Sequence, residues 1–394
     1  MDKAHLLPLY LTDVYLSGVT MIFRDRCQKF GLLFMLIFAN SAIAQSDVVD
    51  FESGRWVFQG SDTKVESYLG EKSISGSAYL KDVEFENGTI EVDIAFEGSA
   101  AFAGIYFRLQ SPENYEEFYL RPHKSNLPGA LQYMPVFNGL ESWQLYNGKG
   151  FTADGVAIPH KRWLHMKMEV SGKQARVYLD NSSEPAMVID DLKHGVSKGS
   201  VGVWSNEEVN STTVHFANFR YEEDNELSFK AAPEPTTPAG MISEWQLSQV
   251  FKADRINTRN SLEQQSLPAI EWKAVVSEPS GLLNIARYRQ KAGKSLVLAR
   301  TLLRSEKAQI KKLSFGYSDR VIIYLNGKIL FEGNNRFRIR DPEFLGIINL
   351  QDAVFLDLRE GDNELVLAVS ELYGGWGYIC QLEDMEGLEI VSAE

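Results

Sequence analysis

Tyr106 with Arg108, then Tyr119, Arg121 and His123, then Gln132 with Met134 are the side chains best suited to hold a ligand. Successive residues of a strand point to opposite faces. In Phe118-Tyr119-Leu120-Arg121-Pro122-His123 this sets Tyr119, Arg121 and His123 on one side, with Phe118 and Leu120 on the other. In Ile105-Tyr106-Phe107-Arg108-Leu109 it pairs Tyr106 with Arg108 against apolar neighbours. The short separation favours the two strands lying side by side, which gathers arginines, tyrosines and a histidine on one face. Trp143 and Tyr146 follow in Ser142-Trp143-Gln144-Leu145-Tyr146. Sugars lay their apolar ring faces on aromatic planes, and their hydroxyls and carboxylates accept from forked donors such as Arg. The alternative is a solvated sheet face whose arginines pair with the chain's many acids. An exposed ring-bearing patch favours binding.

Glu91, Asp93 and Glu97, in Glu91-Val92-Asp93-Ile94-Ala95-Phe96-Glu97, are the weaker candidates for acid–base chemistry. Retaining glycoside hydrolysis needs two carboxyl groups about 5–5.5 Å apart. On a regular strand Glu91 and Glu97 share a face but stand about 20 Å apart. Acids dressing a solvent face is the plainer reading. His160 and His165 flank Trp163 without metal-ligand geometry, and no Gly-x-Ser-x-Gly elbow, phosphate loop or dinucleotide fingerprint occurs. Asp352, Asp357 and Asp362 invite a structural calcium ion but match no defined loop. No other cofactor is expected. Tyr373, Trp376 and Tyr378 around Gly374-Gly375 read either as an aromatic binding edge or, preferably, as a core plug.

These residues sit in a chain of 394 residues in which 53 acidic groups outnumber 40 basic ones, for a formal charge of −13. Holding nucleic acid or an anionic membrane surface takes clustered Lys and Arg, so both partners are excluded. Arg24, Arg26 and Lys29 precede the apolar run over 30–39, which closes on Ser41-Ala42-Ile43-Ala44. That is the pattern of an export signal ending at Ala44, and the run is too short to span about 30 Å of hydrocarbon. Met21 stands where such a signal begins, leaving residues 1–20 as a candidate upstream extension. The expected destination is the periplasm or the exterior. Removing the signal takes Cys27 with it and leaves Cys380 alone, without a disulfide partner.

Beyond Gln45 the pattern has period two. Leu164, Met166, Met168 and Val170 alternate with His165, Lys167 and Glu169, and Ile90, Val92 and Ile94 alternate with Glu91 and Asp93. Such runs are antiparallel strands. Pro233, Pro235 and Pro238 mark a solvated linker over 223–241 between strand-rich blocks at 48–222 and 242–394. In the second block Asn326-Gly327 between two apolar runs predicts a tight hairpin. The expected fold is all-β: two consecutive antiparallel sandwiches, or jelly rolls.

The first block resembles the concanavalin A-like lectin/glucanase (laminin-G-like) jelly rolls. The resemblance rests on Asn87-Gly88-Thr89-Ile90-Glu91-Val92-Asp93-Ile94, Gly104-Ile105-Tyr106-Phe107-Arg108, Trp163-Leu164-His165-Met166-Lys167-Met168 and Gly199-Ser200-Val201-Gly202-Val203-Trp204. Within that group it is most similar to the 3-keto-disaccharide hydrolase-like domains. Glucanases of the group carry Glu-x-Asp-x-Glu or Glu-x-Asp-x-x-Glu, and Glu97 falls one position beyond the longer form. The second block resembles the galactose-binding-like jelly roll of family-2 glycosidases through Tyr324-Leu325-Asn326-Gly327-Lys328 and residues 358–365. The resemblances imply an exported protein that binds an oligo- or polysaccharide on a concave face of the first jelly roll. The alternatives are a glycoside or 3-keto-glycoside hydrolase on the same face, and an adhesive module pair with a protein partner.

Overall fold

The computed structural model describes residues 46–206, 209–257 and 259–391, so the expected export signal lies outside the described residues. Ser46–Glu394 form one compact unit. Among the described residues, strands joined by turns and short 3-10 turns make up the chain, and no helix is long and apolar enough to cross a membrane.

Twelve strands from Trp56–Tyr68 to Val214–Glu223 form one sheet, eleven of them along a single hydrogen-bonded path. Its spatial order is Met187–Ile189, Gln174–Leu179, Leu164–Ser171, Gly88–Phe96, Val214–Glu223, Glu71–Leu80, Ser200–Ser205, Ala103–Ser111, Asn114–Leu120, Leu131–Val136 and Thr152–Ala153. Trp56–Tyr68 pairs with Glu71–Leu80. Glu71–Leu80 turns the path over. Its residues 73–75 pair with Val214–Glu223, whereas Ala78 and Tyr79 pair with Ser200–Ser205. The two arms then meet across one core, where Ile90, Val92 and Ile94 share a cluster with Ile105, Phe107 and Phe118. The period-two pattern places these residues. Leu164, Met166, Met168 and Val170 are buried while the residues between them stay half-exposed. Each arm keeps one outer face.

The second lobe is a sandwich of an eight-stranded and a four-stranded sheet. Leu313, Phe315 and Tyr317 of the smaller sheet pack in one cluster with Val297, Ile323 and Leu367 of the larger. Arg320–Leu325 and Lys328–Asn334 form the hairpin expected at Asn326-Gly327, with Leu325 opposite Lys328. Asn326 at φ 49° and Gly327 at φ 78° supply the two positive values a type I′ turn requires. Cys380 is buried in this core, and burial pushes its thiol up.

Residues 224–240 contain neither strand nor helix and are mostly exposed. They still touch the first lobe: Leu227 O accepts from Ser171 Oγ at 2.7 Å and the Arg176 guanidinium lies 4.1 Å from the Phe229 ring centre.

Candidate functional site

The outer face of Ala103–Ser111, Asn114–Leu120 and Leu131–Val136 gathers Tyr106, Tyr119, Met134 and Trp204 into a cluster of its own, apart from the core. Tyr119 Oη donates to Gln132 Oε1 at 2.8 Å, and Arg121 Nη2 donates to Tyr119 Oη at 3.3 Å. The Arg121 guanidinium also lies 5.3 Å from the Tyr119 ring centre. Tyr106, Tyr119, Arg121 and Gln132 therefore do come together. They are not open to solvent as expected: Gln132 is fully buried, and Tyr119 and Arg121 are nearly so. The cover is the segment 142–146. Gln132 Nε2 donates to Trp143 O and Tyr146 O, both at 3.0 Å, and pins that segment across the sheet.

Arg108 leaves this face. A bulge interrupts the pairing between Phe107 and Ser111, Arg108 takes φ 48°, and the alternation slips by one, so that Leu109 joins Tyr106. The Arg108 guanidinium is instead fully buried among carbonyls, donating to Glu86 O, Gly172 O and Gly195 O at 2.7 Å from its terminal nitrogens. His123 lies in the 3-10 turn Pro122–Lys124, exposed, with its ring 4.9 Å from that of Phe102.

Trp143 and Tyr146, expected near a sugar, instead dock the second lobe together with Gln144. Gln144 is fully buried: Nε2 donates to Leu345 O at 2.7 Å, and Oε1 accepts from Ser318 Oγ at 2.9 Å. Gly374 must lack a side chain here, because a Cβ would collide with Gln144 Oε1. Tyr146 Oη donates to Glu278, which also accepts from Lys193 Nζ at 2.6 Å and Arg287 Nη1 at 3.1 Å. Burial, then the Glu278 charge, raises the Tyr146 phenol. Trp143 meets Phe337 and Tyr373 edge-on at 6.0 Å.

One part of the face stays open. A cleft of about 420 Å³ is lined by Tyr106 and Trp204 from the sheet, Tyr373 from the second lobe and Glu141 just ahead of the covering segment. Gln59, Ser77, Ser205 and Asn206 add polar groups. Gln59 Oε1 has no partner among the described residues. Of the predicted contacts only Tyr106 lines this cleft, and none of its described lining residues is basic. Beside Tyr106, directly across the strand pair, stands Glu117. It is fully buried, neither carboxyl oxygen has a partner, and burial followed by the Glu141 charge raises its carboxyl well above the usual range.

Glu117 was legible and overlooked: alternation in Tyr115-Glu116-Glu117-Phe118-Tyr119 puts it with Tyr115 and Tyr119. Trp204 follows from the same rule in Ser200–Ser205. Glu141 and Tyr373 reach the cleft through tertiary packing, for which no local signal exists. Tyr373 also departs from the expected core plug, being 53% exposed, whereas Trp376 and Tyr378 are in the core.

Glu91, Asp93 and Glu97 occupy the outer face of the opposite arm. Three strands separate Gly88–Phe96 from Ala103–Ser111 along the path, so these acids cannot serve the Tyr106 face. Asp93 Oδ1 lies 2.8 Å from His165 Nδ1, Asp93 Oδ2 accepts from Asn218 at 2.8 Å, and Glu97 Oε1 lies 3.0 Å from His215 Nε2. Burial works to raise the Asp93 carboxyl, but the bonds from His165 and Asn218 bring it below its usual range. Glu91 pairs across the strands with Lys167. Asp352, Asp357 and Asp362 do not assemble a calcium site: Arg340 binds Asp352 and Arg304 binds Asp362 at 2.8 Å. Among the described residues no group of three or more His, Cys, Asp or Glu side chains could hold a metal ion.

No family model matches the sequence, and no curated protein matches it. Among solved structures the chain is similar to the carbohydrate-binding module CBM66 from Bacillus subtilis, with 18% identity, 43% of this chain and 96% of that one covered, and a TM-score of 0.33. It is similar to a protein with galectin-like fold from Bacillus subtilis at 11% identity, with 43% and 90% covered and a TM-score of 0.32. A Bacillus licheniformis β-glucanase aligns at 10% identity over 45% and 96%, with a TM-score of 0.30.

Proposed function

We propose that this is an exported carbohydrate-binding protein whose first sandwich takes a glycan in the cleft between Tyr106, Trp204 and Tyr373. The observation that carries the reading is the make-up of that cleft. The exposed Tyr373 ring and the edges of the largely buried Tyr106 and Trp204 stand beside hydrogen-bonding groups, one of which, Gln59 Oε1, has no partner. A lone buried acceptor is costly unless something donates to it. A sugar hydroxyl is such a donor. The export-signal pattern ending at Ala44 supports a location where polysaccharides are met. The exposed part of the face is smaller than the sequence suggested, so the fit is to one or two sugar units of a longer chain.

The test is a glycan array probed with the chain from Ser46 onward and with a Gln59→Ala/Asn206→Ala variant. The expected result is a defined set of glycans bound by the parent and lost in a variant of unchanged melting temperature. Equal binding by both would place the sugar elsewhere. A glycoside hydrolase is favoured by one observation, the Glu117 and Glu141 carboxyl groups beside the same cleft. Release of reducing ends from a bound oligosaccharide separates the two readings.

A further inference from the structure

Stacking on rings accounts for Tyr106, Trp204 and Tyr373 but not for the acids. Glu141 is the charged residue among the described lining of the cleft, and Glu117 lies beside Tyr106 with both oxygens unpartnered and its side chain wholly out of solvent. An uncompensated buried carboxyl is expensive. Nothing in the described chain offsets it. Arg108 is committed to three carbonyls, and Arg121 donates to Tyr119. None of the described lining residues is basic and one, Glu141, is acidic, which disfavours uronic and sulfated sugars.

We propose that the cleft selects a saccharide bearing a protonated primary amine, such as an unacetylated 2-amino-2-deoxyhexose unit. This rests on the glycan reading of the same cleft and names the class of sugar. The ammonium lies against the exposed Tyr373 ring, where the ring quadrupole attracts a cation, and beside Glu141. Glu117 adds negative potential from beneath, in a low-dielectric setting where water screens little. Burial and the Glu141 charge raise the Glu117 carboxyl while the cleft is empty. An arriving ammonium favours the charged carboxylate, so binding releases a proton to solvent.

Calorimetric titration with four probes tests this: a glucosamine tetramer, its fully N-acetylated counterpart, cellotetraose and a galacturonate tetramer. The glucosamine tetramer should bind about tenfold or more tightly than the acetylated one. The galacturonate should not bind. Repeating the titration in buffers of different ionisation enthalpy should reveal protons released on binding. In Glu117→Gln the ratio of the two affinities should fall toward one and the released proton should disappear. If Glu117→Gln does not fold, Glu141→Gln at the half-exposed wall is used, and the same fall in ratio is expected. Equal affinity for the amine and acetyl forms overturns the inference and leaves the glycan reading standing. No binding of any probe, with no glycan bound on the array, removes both. A trilysine peptide binding as tightly as the glucosamine tetramer would overturn the saccharide assignment in favour of a protein ligand.

Discussion

Glu371→Gln is expected to change how stability depends on pH. Glu371 is 1% exposed beneath the 372–375 loop that presents Tyr373 to the cleft. Burial, followed by the Asp319 charge, pushes its carboxyl up to about 8, and Lys291 Nζ at 3.8 Å from Oε1 offsets only part of this. Asp319 is raised as well, chiefly by burial, although Leu372 N and Tyr373 N donate to its Oδ2 at 2.7 and 2.8 Å. In the unfolded chain a glutamate titrates at about 4.3. Between the two values the folded protein holds a proton that the unfolded chain has released, so stability falls as pH rises. The slope reaches about 1.4 kcal/mol per pH unit, giving a ceiling of roughly 5 kcal/mol between pH 4.5 and 8. The substituted amide cannot ionise. Glu116, pushed up to about 7 by burial, tilts stability the same way in both proteins, so its contribution cancels in the difference between them. The assay is thermal unfolding across pH 5 to 9. The variant should match its parent near pH 5 and exceed it by several degrees near pH 8.5. Parallel profiles would refute the reasoning.

Two further substitutions probe the architecture. Gln144→Ala strips Ser318 Oγ and Leu345 O of their partner between the lobes, and should lower stability by roughly 2–4 kcal/mol in urea unfolding. Gly327→Ala forces a side chain onto φ 78° in the hairpin turn and should cost about 1 kcal/mol by the same measurement, with the glycan profile unchanged.

Local pattern carried the sandwich far. Period-two burial in Leu164–Ser171 and the Asn326-Gly327 turn are set by a few neighbouring residues, and the structure has both. The site was less legible because its determinants are not local. One bulge at Arg108 reverses which residues face outward, and nothing in Phe107-Arg108-Leu109 announces it. The segment 142–146 has the composition of a sugar-binding edge, yet its partners, Glu278, Ser318 and Leu345, lie more than a hundred residues away. Aromatic and amide side chains serve a lobe interface as well as a sugar. Glu117 is the instructive case: alternation placed it, but a single acid between tyrosines attracts notice only once both its oxygens prove to have no partner.

The central claim is that a glycan occupies the cleft walled by Tyr373. Tyr373 is 53% exposed and meets Trp143 and Phe337 edge-on, so its removal leaves the core intact. Titrating the best array glycan against the parent and Tyr373→Ala should show at least a tenfold loss of affinity in the variant, at an unchanged melting temperature. Equal affinities would contradict the account.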